Sequence, residues 1–451
     1  MPRRDFIAVG ASAIFAPRQR WQWQSARPVP SPEQLQWQRD ELALFTHFGM
    51  NTFTDREWGQ GTESPALFAP TALDARQWTR AAKAAGFRMV ILTAKHHDGF
   101  CLWPTATTRH SVASSPFRGG QGDVVREVAD ACRADGLRLG LYLSPWDRNS
   151  AVYGSDGYHE FYLTQLRELL TRYGRVDEVW FDGANGEGPN GKRQRYDWPR
   201  YWGEVKRLQP QAVIFSDAGP DIRWIGNEAG SAGETNWSMV DPRVVAAPGV
   251  SGADVTRMLQ EGDPLGTIWR PGETDTSIRP GWFYHEADDA RVRSVSNLVD
   301  IYTTSVGRNS KLLLNVPPTR AGLLHETDVS RLLGMRQALD RRFGEPIALR
   351  GRVRTSELGG TAGTLHATLK RPRRVAFVTL QEQVVRGQHV AAWRLEGMEA
   401  AGGWGLLARG TTIGYKRIVV LPPGERQAIR LVIEQSLAPV ESLSMVLHGE
   451  D

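Results

Sequence analysis

Residues 123–143, DVVREVADACRADGLRLGLYL, carry the pattern that decides the fold. Apolar residues recur with helical spacing over 124–135, behind Asp123, whose residue type caps helices, and Gly136 can end the helix in a left-handed conformation. The following stretch, 137–143, is mostly apolar and predicts a buried β-strand. This segment therefore predicts a helix followed directly by a strand.

The same alternation extends in both directions along the chain. Strands are predicted at 42–48, 89–93, 176–181 and 212–216, and helices at 74–85, 157–173 and 198–208, with Gly86, Gly174 and Pro210 after the helices. Strands with continuous apolar runs indicate a parallel sheet covered by helices, either closed as a barrel or open and doubly wound. No Gly-x-Gly-x-x-Gly follows an early strand and no Gly-x-x-x-x-Gly-Lys occurs, so a (β/α)8-type, TIM-like barrel is favoured.

The remainder of the chain predicts less regular elements and then a change of fold. A strand near 267–270, a helix at 289–305, a strand at 311–316 and a helix at 326–342 would complete the barrel. After Gly344 come short alternating runs at 374–380, 390–395, 415–421 and 428–433, separated by Gly and Pro. We therefore expect a barrel over 17–345 and a C-terminal antiparallel β-sandwich domain over 346–451.

Composition excludes several classes of protein. The net charge of +5 is small for 451 residues, and Lys and Arg do not cluster, so nucleic-acid binding is not predicted. Two cysteines, Cys101 and Cys132, cannot form a disulfide framework or a cysteine-based zinc site, and Cys132 on an apolar helix stripe is expected to be a buried free thiol. No stretch after the N-terminus is long and apolar enough to span a bilayer, so no membrane insertion is expected.

The N-terminal residues predict export. The sequence MPRRDFIAVGASAIFA over 1–16 places Arg3 and Arg4 before an apolar run that ends in small residues. This arrangement resembles a twin-arginine signal, and a structural helix is the alternative interpretation. We expect a periplasmic or secreted protein.

Polar residues at the ends of the predicted strands are the first candidates for chemistry, because the active site of a parallel barrel lies at that rim. His47 follows the first strand, Lys95, His96, His97 and Asp98 follow the second, and Asp182 follows the fourth. Zinc binding by His96 and His97 is disfavoured, since neighbouring strand residues point to opposite sides and the first strand has no His-x-His pair. Substrate hydrogen bonding is favoured over a structural role, because each imidazole offers a donor and an acceptor.

Five ordered motifs, spread over about 35–345, closely resemble the glycoside hydrolase family 29 α-L-fucosidases. They are HFGMNTF at 47–53 with EWG at 57–59, ILTAKHHDGFCLWPT at 91–105, YLSPWD at 142–147 and VDEVWFDGANGEG at 176–188. Two further stretches, RWIGNEAG at 223–230 and SIRPGWFYH at 277–285, resemble the branch of the family that cleaves α-1,3 and α-1,4 linked fucose.

The resemblance implies roles for ten residues. Asp182 matches the nucleophile position and Glu228 the acid/base position of that branch, with Glu187, Glu234 and Glu273 as competing carboxylates. The residues implied to hold fucose are His47, Glu57, Trp58, His96, His97 and Tyr142, with Trp282 stacking on the sugar and Arg223 orienting or tuning the acid/base. Retaining glycosidases need two carboxyl groups about 5–5.5 Å apart, one to attack and one to protonate.

The implied activity is a retaining exo-α-L-fucosidase that removes terminal α-1,3/1,4-linked fucose from glycans by double displacement, without metal or organic cofactor. The alternatives are a fucosidase of broad or α-1,2 linkage preference, a metal-dependent barrel hydrolase that uses His96, His97 and Asp182 as ligands, and an inactive carbohydrate-binding protein. The predicted partner is a fucosylated glycan. The sequence does not predict an oligomeric state.

Overall fold

Strands alternate with helices through the first three quarters of the chain, in a computed structural model that describes residues 27–356, 360, 362–399 and 402–449. The export signal predicted for 1–16 lies outside the described residues. The strands are β1 (Leu42–Thr46), β2 (Met89–Lys95), β3 (Arg138–Leu143), β4 (Glu178–Trp180), β5 (Val213–Ser216), β6 (Ile222–Trp224), β7 (Met239–Val240), β8 (Ile268–Trp269), β9 (Gly272–Ser277) and β10 (Ser310–Asn315). The helices are α1 (Pro32–Asp40), α2 (Met50–Thr54), α3 (Ala75–Ala84), α4 (Val124–Asp135), α5 (Gly157–Arg172), α6 (Trp198–Leu208), α7 (Ala253–Glu261), α8 (Val295–Ser305) and α9 (Glu326–Phe343), with short 3-10 helices at Pro65–Leu67, Val112–Ser114, Phe117–Gly120 and Glu286–Arg291.

Eight of these strands close into a parallel barrel, as the sequence predicts. Their order around the barrel is β1-β10-β9-β6-β5-β4-β3-β2, and every neighbouring pair is parallel. All C-terminal strand ends therefore lie at one rim, where residues that are distant in sequence meet.

The unit that decides the fold has the predicted local structure. The Asp123 side chain accepts the backbone N–H of Arg126 at the start of α4. Gly136 ends the helix at φ 70°, a left-handed conformation that costs glycine little. The apolar face of α4, which includes Val125, Val128 and Cys132, packs in the core that also contains residues of β2 and β3.

The barrel interior is filled by large side chains and one buried ionic cluster. Phe45, Tyr142, Trp180 and Phe215 pack with Trp37 of α1 in one apolar group. Beside them lie three buried charged residues: Lys311 Nζ is 3.3 Å from Glu178 Oε2 and 4.0 Å from Glu273 Oε2. The indole of Trp37 donates to Glu178 at 2.8 Å, and that of Trp180 donates to Glu273 at 3.1 Å. The barrel is therefore a packed core and not a pore.

Four later elements differ from the sequence-based prediction. The strand predicted at 267–270 is observed as β8, but it pairs antiparallel with β7 outside the barrel. The barrel is completed instead by β6 and β9, which were not predicted. The helix predicted at 289–305 is split into the 3-10 helix Glu286–Arg291 and α8. The strand β9 has the sequence GETDTS, which shows no apolar pattern. It is nevertheless a barrel strand, and its polar side chains are buried.

The C-terminal region folds as a β-sandwich of antiparallel sheets, as predicted. Its strands are β11 (Arg354–Ser356), β12 (Gly363–Arg374), β13 (Phe377–Glu382), β14 (Val390–Met398), β15 (Trp404–Gly410), β16 (Arg417–Val420), β17 (Glu425–Ser436) and β18 (Leu443–His448), with a 3-10 helix at Val384–Arg386. One sheet has the order β11-β12-β17-β14-β15 and the other β16-β13-β18. The four runs predicted from sequence correspond to β13, β14, β16 and β17.

Polar contacts join the sandwich to the barrel. Glu234, from the barrel segment before β7, forms ion pairs with Arg308 of the barrel and Arg417 of β16. Asn309 donates to the Gln388 side chain at 3.3 Å, and its Oδ1 accepts the Tyr415 N–H at 2.7 Å. The two regions are thus attached by directed hydrogen bonds.

Two sequence-based expectations concern single features of the chain. Cys101 and Cys132 are both buried and free, which confirms the thiol predicted at Cys132. Among the helices of the described ranges, none combines the length and apolar character needed to cross a membrane.

Candidate active site

Three histidines lie together at the rim formed by the ends of β1 and β2. The imidazoles of His96 and His97 are 4.0 Å apart between centroids, and the ring of His47 is 5.6 Å from that of His96. The expectation that His96 and His97 point to opposite sides is wrong. Both residues follow Lys95, the last residue of β2, so the alternation of a strand no longer applies to them.

Burial keeps these imidazoles neutral. Loss of solvent lowers the pKa of His47 to about 3, lowers that of His96 well below its usual value and lowers that of His97 as well. His47 Nδ1 lies 2.8 Å from Asn315 Oδ1, and Asn315 Nδ2 donates to the Trp282 carbonyl, so His47 carries its proton on Nδ1. Its Nε2 is then an acceptor suited to a hydroxyl group.

His97 is oriented in the same way. Its Nδ1 is 2.7 Å from Ser144 Oγ, which donates its own hydrogen to the Trp146 carbonyl, so the imidazole is the donor to Ser144. The other nitrogen, Nε2, lies 3.8 Å from Asp182 Oδ2, too far for a direct hydrogen bond. A ligand hydroxyl near this gap could donate to Nε2 or to the carboxylate.

Asp182 follows β4 and is held by two donors from neighbouring parts of the barrel. The Tyr142 hydroxyl donates to Oδ2 at 2.9 Å, and the backbone N–H of Ala184 donates to Oδ1 at 2.7 Å. The side chain is 27% exposed, so the carboxylate is fixed in direction and still reachable by a ligand. This combination suits a nucleophile.

Glu228 follows β6 and shares the rim with Asp182. Partial burial of its carboxyl raises its pKa, as do the charges of Asp182 and Glu57, whereas the Trp282 side chain, as a nearby hydrogen-bond donor, opposes the rise. The residue as a whole is exposed, so ligand and solvent can reach it. A raised pKa at an accessible carboxyl that shares the rim with a second carboxyl group is typical of a general acid.

Aromatic residues surround these carboxylates. Trp58 is 59% exposed, with its ring 6.0 Å from His97 and 5.8 Å from Trp146. The ring of Trp282 lies 5.1 Å from that of His47. Exposed indole faces at a polar rim suit the C–H faces of a sugar ring.

Glu57 binds protein backbone in this structure. Its Oε2 accepts the N–H of Trp282 at 2.8 Å, and its Oε1 accepts the N–H of Phe283 at 3.1 Å. Glu57 therefore ties the segment after α2 to the segment that carries Trp282. The sequence suggested only a contact with the sugar.

Arg223 has a different environment from the one expected for a residue that orients Glu228. Its guanidinium is buried in β6 and donates to the carbonyls of Leu259 and Arg270 and to the Asn236 side chain. Among the described contacts, none joins Arg223 to Glu228. Burial lowers the pKa of Arg223 to about 9, and these bonds fix the chain that follows β6.

The competing carboxylates are placed differently. Glu273 lies in the barrel interior with Lys311, and Glu234 is bound at the sandwich junction. Glu187 is exposed on the segment after Asp182, where its carbonyl accepts the Trp146 indole N–H at 3.0 Å. Glu228 is thus the one of the four whose pKa responds to Asp182 and whose carboxyl interacts with the Trp282 side chain.

Two carboxylates of the rim were missed in the sequence. Asp217 follows β5 and accepts the Gly249 N–H at 2.9 Å, and burial raises its pKa to about 6. Asp275 of β9 accepts the Trp224 indole N–H at 2.8 Å, and burial raises its pKa well above the usual value, as does the charge of Glu228. Their position after or within short barrel strands was the only available signal.

Lys95, a candidate from the end of β2, forms a buried ion pair with Asp147 of the YLSPWD motif. Lys95 Nζ is 2.9 Å from Asp147 Oδ2, and both side chains are buried. Lys95 also donates to Gln165 at 2.9 Å.

The residues that the structure describes contain no group of three or more His, Cys, Asp or Glu side chains arranged to hold a metal ion.

Comparison with known proteins agrees with this geometry. The family model described as Alpha-L-fucosidase matches residues 10–342. Alpha-L-fucosidase 1 of Arabidopsis thaliana is 43% identical over 438 residues, covering 91% of this chain and 85% of the plant protein. A glycoside hydrolase 29 family member from an unknown rumen bacterium is 40% identical (TM-score 0.87; 95% of this chain, 79% of that one), and a Ruminococcus gnavus GH29 fucosidase in complex with fucose is 27% identical (TM-score 0.83; 96% and 97%).

Proposed function

The chain belongs to the α-L-fucosidases of glycoside hydrolase family 29, and we propose that it acts as a retaining exo-fucosidase on terminal α-1,3/1,4-linked fucose. The observation that carries the mechanism is the pairing at the rim of an ionisable carboxylate held by two donors, Asp182, with an accessible carboxyl of raised pKa, Glu228. The linkage preference is supported by the likeness of 223–230 and 277–285 to that branch.

The first step forms a covalent intermediate. Asp182 Oδ attacks C1 of fucose while Glu228 transfers its proton to the glycosidic oxygen, so the C1–O bond breaks and the aglycone leaves as an alcohol. In the second step Glu228, now ionised, takes a proton from water, whose oxygen attacks C1 and displaces Asp182. Two inversions give α-L-fucose and restore both carboxyl groups.

The other residues of the rim bind and orient the sugar in this proposal. His47, His96 and His97 are neutral and accept or donate hydrogen bonds to its hydroxyl groups. Trp58 and Trp282 cover its apolar face. Tyr142 keeps the Asp182 carboxylate directed at C1, and Glu57 holds the Trp282 segment, as its backbone contacts support.

Rescue by azide separates the two catalytic roles. In Asp182→Ala, azide replaces the missing nucleophile and should give β-L-fucosyl azide from an activated aryl fucoside. In Glu228→Ala, Asp182 still forms the intermediate, and azide should open it to α-L-fucosyl azide. Glu187→Gln, which changes the exposed competing carboxyl, should keep activity and need no azide. If Glu187→Gln instead gives α-L-fucosyl azide and azide does not rescue Glu228→Ala, the acid/base is Glu187 and not Glu228.

Linkage and reaction class are tested on natural trisaccharides. We expect release of fucose from Lewis a trisaccharide and 3-fucosyllactose but not from 2′-fucosyllactose, with the α-anomer of fucose appearing first in the proton NMR spectrum. Release mainly from 2′-fucosyllactose would overturn the linkage alone. Loss of activity in EDTA would favour the metal-dependent alternative, and fucose binding without turnover would favour a binding protein.

Export is a separate proposal that depends on the Arg3 and Arg4 motif. The full chain expressed in a bacterial host with a twin-arginine pathway should reach the periplasm. Replacement of both arginines by lysine should leave the protein in the cytoplasm. Equal fractions in the periplasm for both chains would contradict the proposal.

A further inference from the structure

His285 lies between two carboxylates from another part of the chain. Its Nδ1 is 2.7 Å from Asp55 Oδ1, and its Nε2 is 2.7 Å from Glu57 Oε1. A carboxylate oxygen only accepts, so both ring nitrogens must donate, which requires the charged imidazolium. The His285 side chain is only 17% exposed, whereas that of Asp55 is 60% exposed.

The carboxylate of Glu57 is the joint between two segments of the rim. It accepts three donors, namely the imidazole of His285 and the backbone N–H groups of Trp282 and Phe283. The approach is close, because a Cβ on Gly281 would lie 2.4 Å from Glu57 Oε1. Glu57 cannot turn away from His285 without also releasing the backbone of Trp282.

The Trp282 segment has other supports on the side of the barrel. The Trp282 carbonyl accepts Asn315 Nδ2 at 2.8 Å, and the Gly281 carbonyl accepts Ser277 Oγ at 2.7 Å. Removal of His285 should therefore shift the segment and not unfold it. Displacement of Glu57 and Trp282 is the expected consequence.

The charges around His285 favour its protonated form. Burial lowers its pKa, but the hydrogen bonds and charges of Asp55 and Glu57 outweigh this effect, so the pKa of His285 is raised. Arg279, a cation earlier in the same segment, is paired with Asp289 and Asp328. Glu286 follows directly in the chain and adds no positive charge.

We propose that His285 is a positioning residue for fucose binding: as an imidazolium clamped between Asp55 and Glu57, it holds Glu57 and, through it, Trp282 in place at the sugar pocket. This inference rests on the proposed function. It also predicts an effect on Glu228, because the Trp282 side chain opposes the rise of the Glu228 pKa.

The test compares wild type, His285→Gln, His285→Ala and the control His159→Gln at pH 5.5. His159 is a half-buried histidine of α5 that bonds Tyr201 of α6 at 2.8 Å, and none of its described contacts is to Glu57 or Trp282. We expect KM for 3-fucosyllactose and the inhibition constant of L-fucose to rise about tenfold in His285→Ala, as for the loss of a charge-assisted hydrogen bond, and less in His285→Gln, which keeps a donor. The turnover number should fall much less than KM rises.

The pH dependence gives readouts that a merely structural residue would not move. In His285→Ala, Trp282 should be displaced and should no longer lower the pKa of Glu228. The alkaline limb of the kcat/KM profile should therefore move to higher pH. In Asp55→Asn the pKa of His285 should fall. KM, which is expected to rise with pH as His285 loses its proton, should therefore begin to rise at a lower pH than in the wild type. Asp55 is exposed, so this variant should fold even if the others do not.

The outcomes separate the inference from the proposed function. A wild type that releases no fucose refutes the function. An active wild type whose His285 variants are folded and keep KM, the fucose inhibition constant and the pH profile would refute the clamp. The same conclusion follows if Asp55→Asn leaves the pH dependence of KM unchanged, or if His159→Gln raises KM as much as His285→Ala.

Discussion

The Tyr142 hydroxyl donates a 2.9 Å hydrogen bond to Oδ2 of Asp182, across the neighbouring strands β3 and β4. Tyr142 pairs in register with Trp180, two residues before Asp182, so the barrel itself sets the distance between phenol and carboxylate. The phenol ring is buried and stacks at 5.8 Å on His96. Tyr142 thus orients the Asp182 carboxylate and also packs against His96 at the candidate site.

Tyr142→Phe should lower kcat/KM for 3-fucosyllactose by about tenfold or more, because a hydrogen bond to a charged group contributes about 1.5–3 kcal/mol. The phenyl ring keeps the packing against His96 and Trp180, so the unfolding temperature should change little. Steady-state kinetics and thermal unfolding check both expectations. An unchanged kcat/KM would mean that the Ala184 N–H alone orients Asp182.

Trp282→Phe should move the alkaline limb of the kcat/KM profile to higher pH. Glu228 must be protonated for the first step, and the Trp282 side chain, as a nearby hydrogen-bond donor, lowers the pKa of Glu228. Phenylalanine keeps an aromatic face but has no N–H donor, so the Glu228 pKa should rise. A pH–rate profile measures the shift, and a limb that moves to lower pH would contradict the assignment of Glu228 as acid.

Lys95→Met should destabilise the protein by about 3–5 kcal/mol, the usual cost of leaving one partner of a buried ion pair alone. Asp147 would keep the N–H groups of Asn149 and Ser150 but lose its buried cation. Denaturant unfolding measures the change in the free energy of unfolding. The double variant Lys95→Met/Asp147→Asn should regain part of the loss, whereas equal destabilisation of both would point to lost packing only.

Asp98→Asn should stabilise the protein increasingly as pH rises from about 4 to 7. Burial raises the pKa of Asp98 to about 7, from an ordinary value of 3.8. Between these values the folded state holds a proton that the unfolded state releases, so this group makes stability fall as pH rises. Asparagine removes that dependence and keeps an acceptor for the Phe100 N–H.

Differential unfolding of wild type and Asp98→Asn at pH 4.5, 6 and 8 measures this effect. The difference in unfolding free energy should grow across the series and level off above pH 7. A difference that is independent of pH would show that Asp98 is ionised in the folded state throughout this range.

The central part of the barrel could be predicted from the sequence because the local sequence patterns there agree with the tertiary structure. In the unit 123–143, the cap, the apolar helix face and the buried strand all specify the same structure. The two missed strands lack that agreement. β6 is only three residues long and contains the buried Arg223, while β9 reads GETDTS and satisfies its polar groups through partners such as Trp180 and Lys311. A periodicity argument sees only hydrophobicity and cannot detect a strand whose buried side chains are paired polar groups.

By itself, the sequence determined strands β1 to β5 and helices α3 to α6, the barrel and sandwich classes, and, through its motifs, the family and the strand-end position of Asp182. Those features depend on patterns between residues that are close together in the sequence. Only the tertiary structure decided which carboxyl shares the rim with Asp182, that Asp217 and Asp275 join them, that Arg223 bonds backbone instead of Glu228, and that Glu57 and His285 hold the Trp282 segment. The reason is physical: hydrogen bonds, burial and pKa depend on distances between residues that closure of the barrel brings together from more than 200 positions apart.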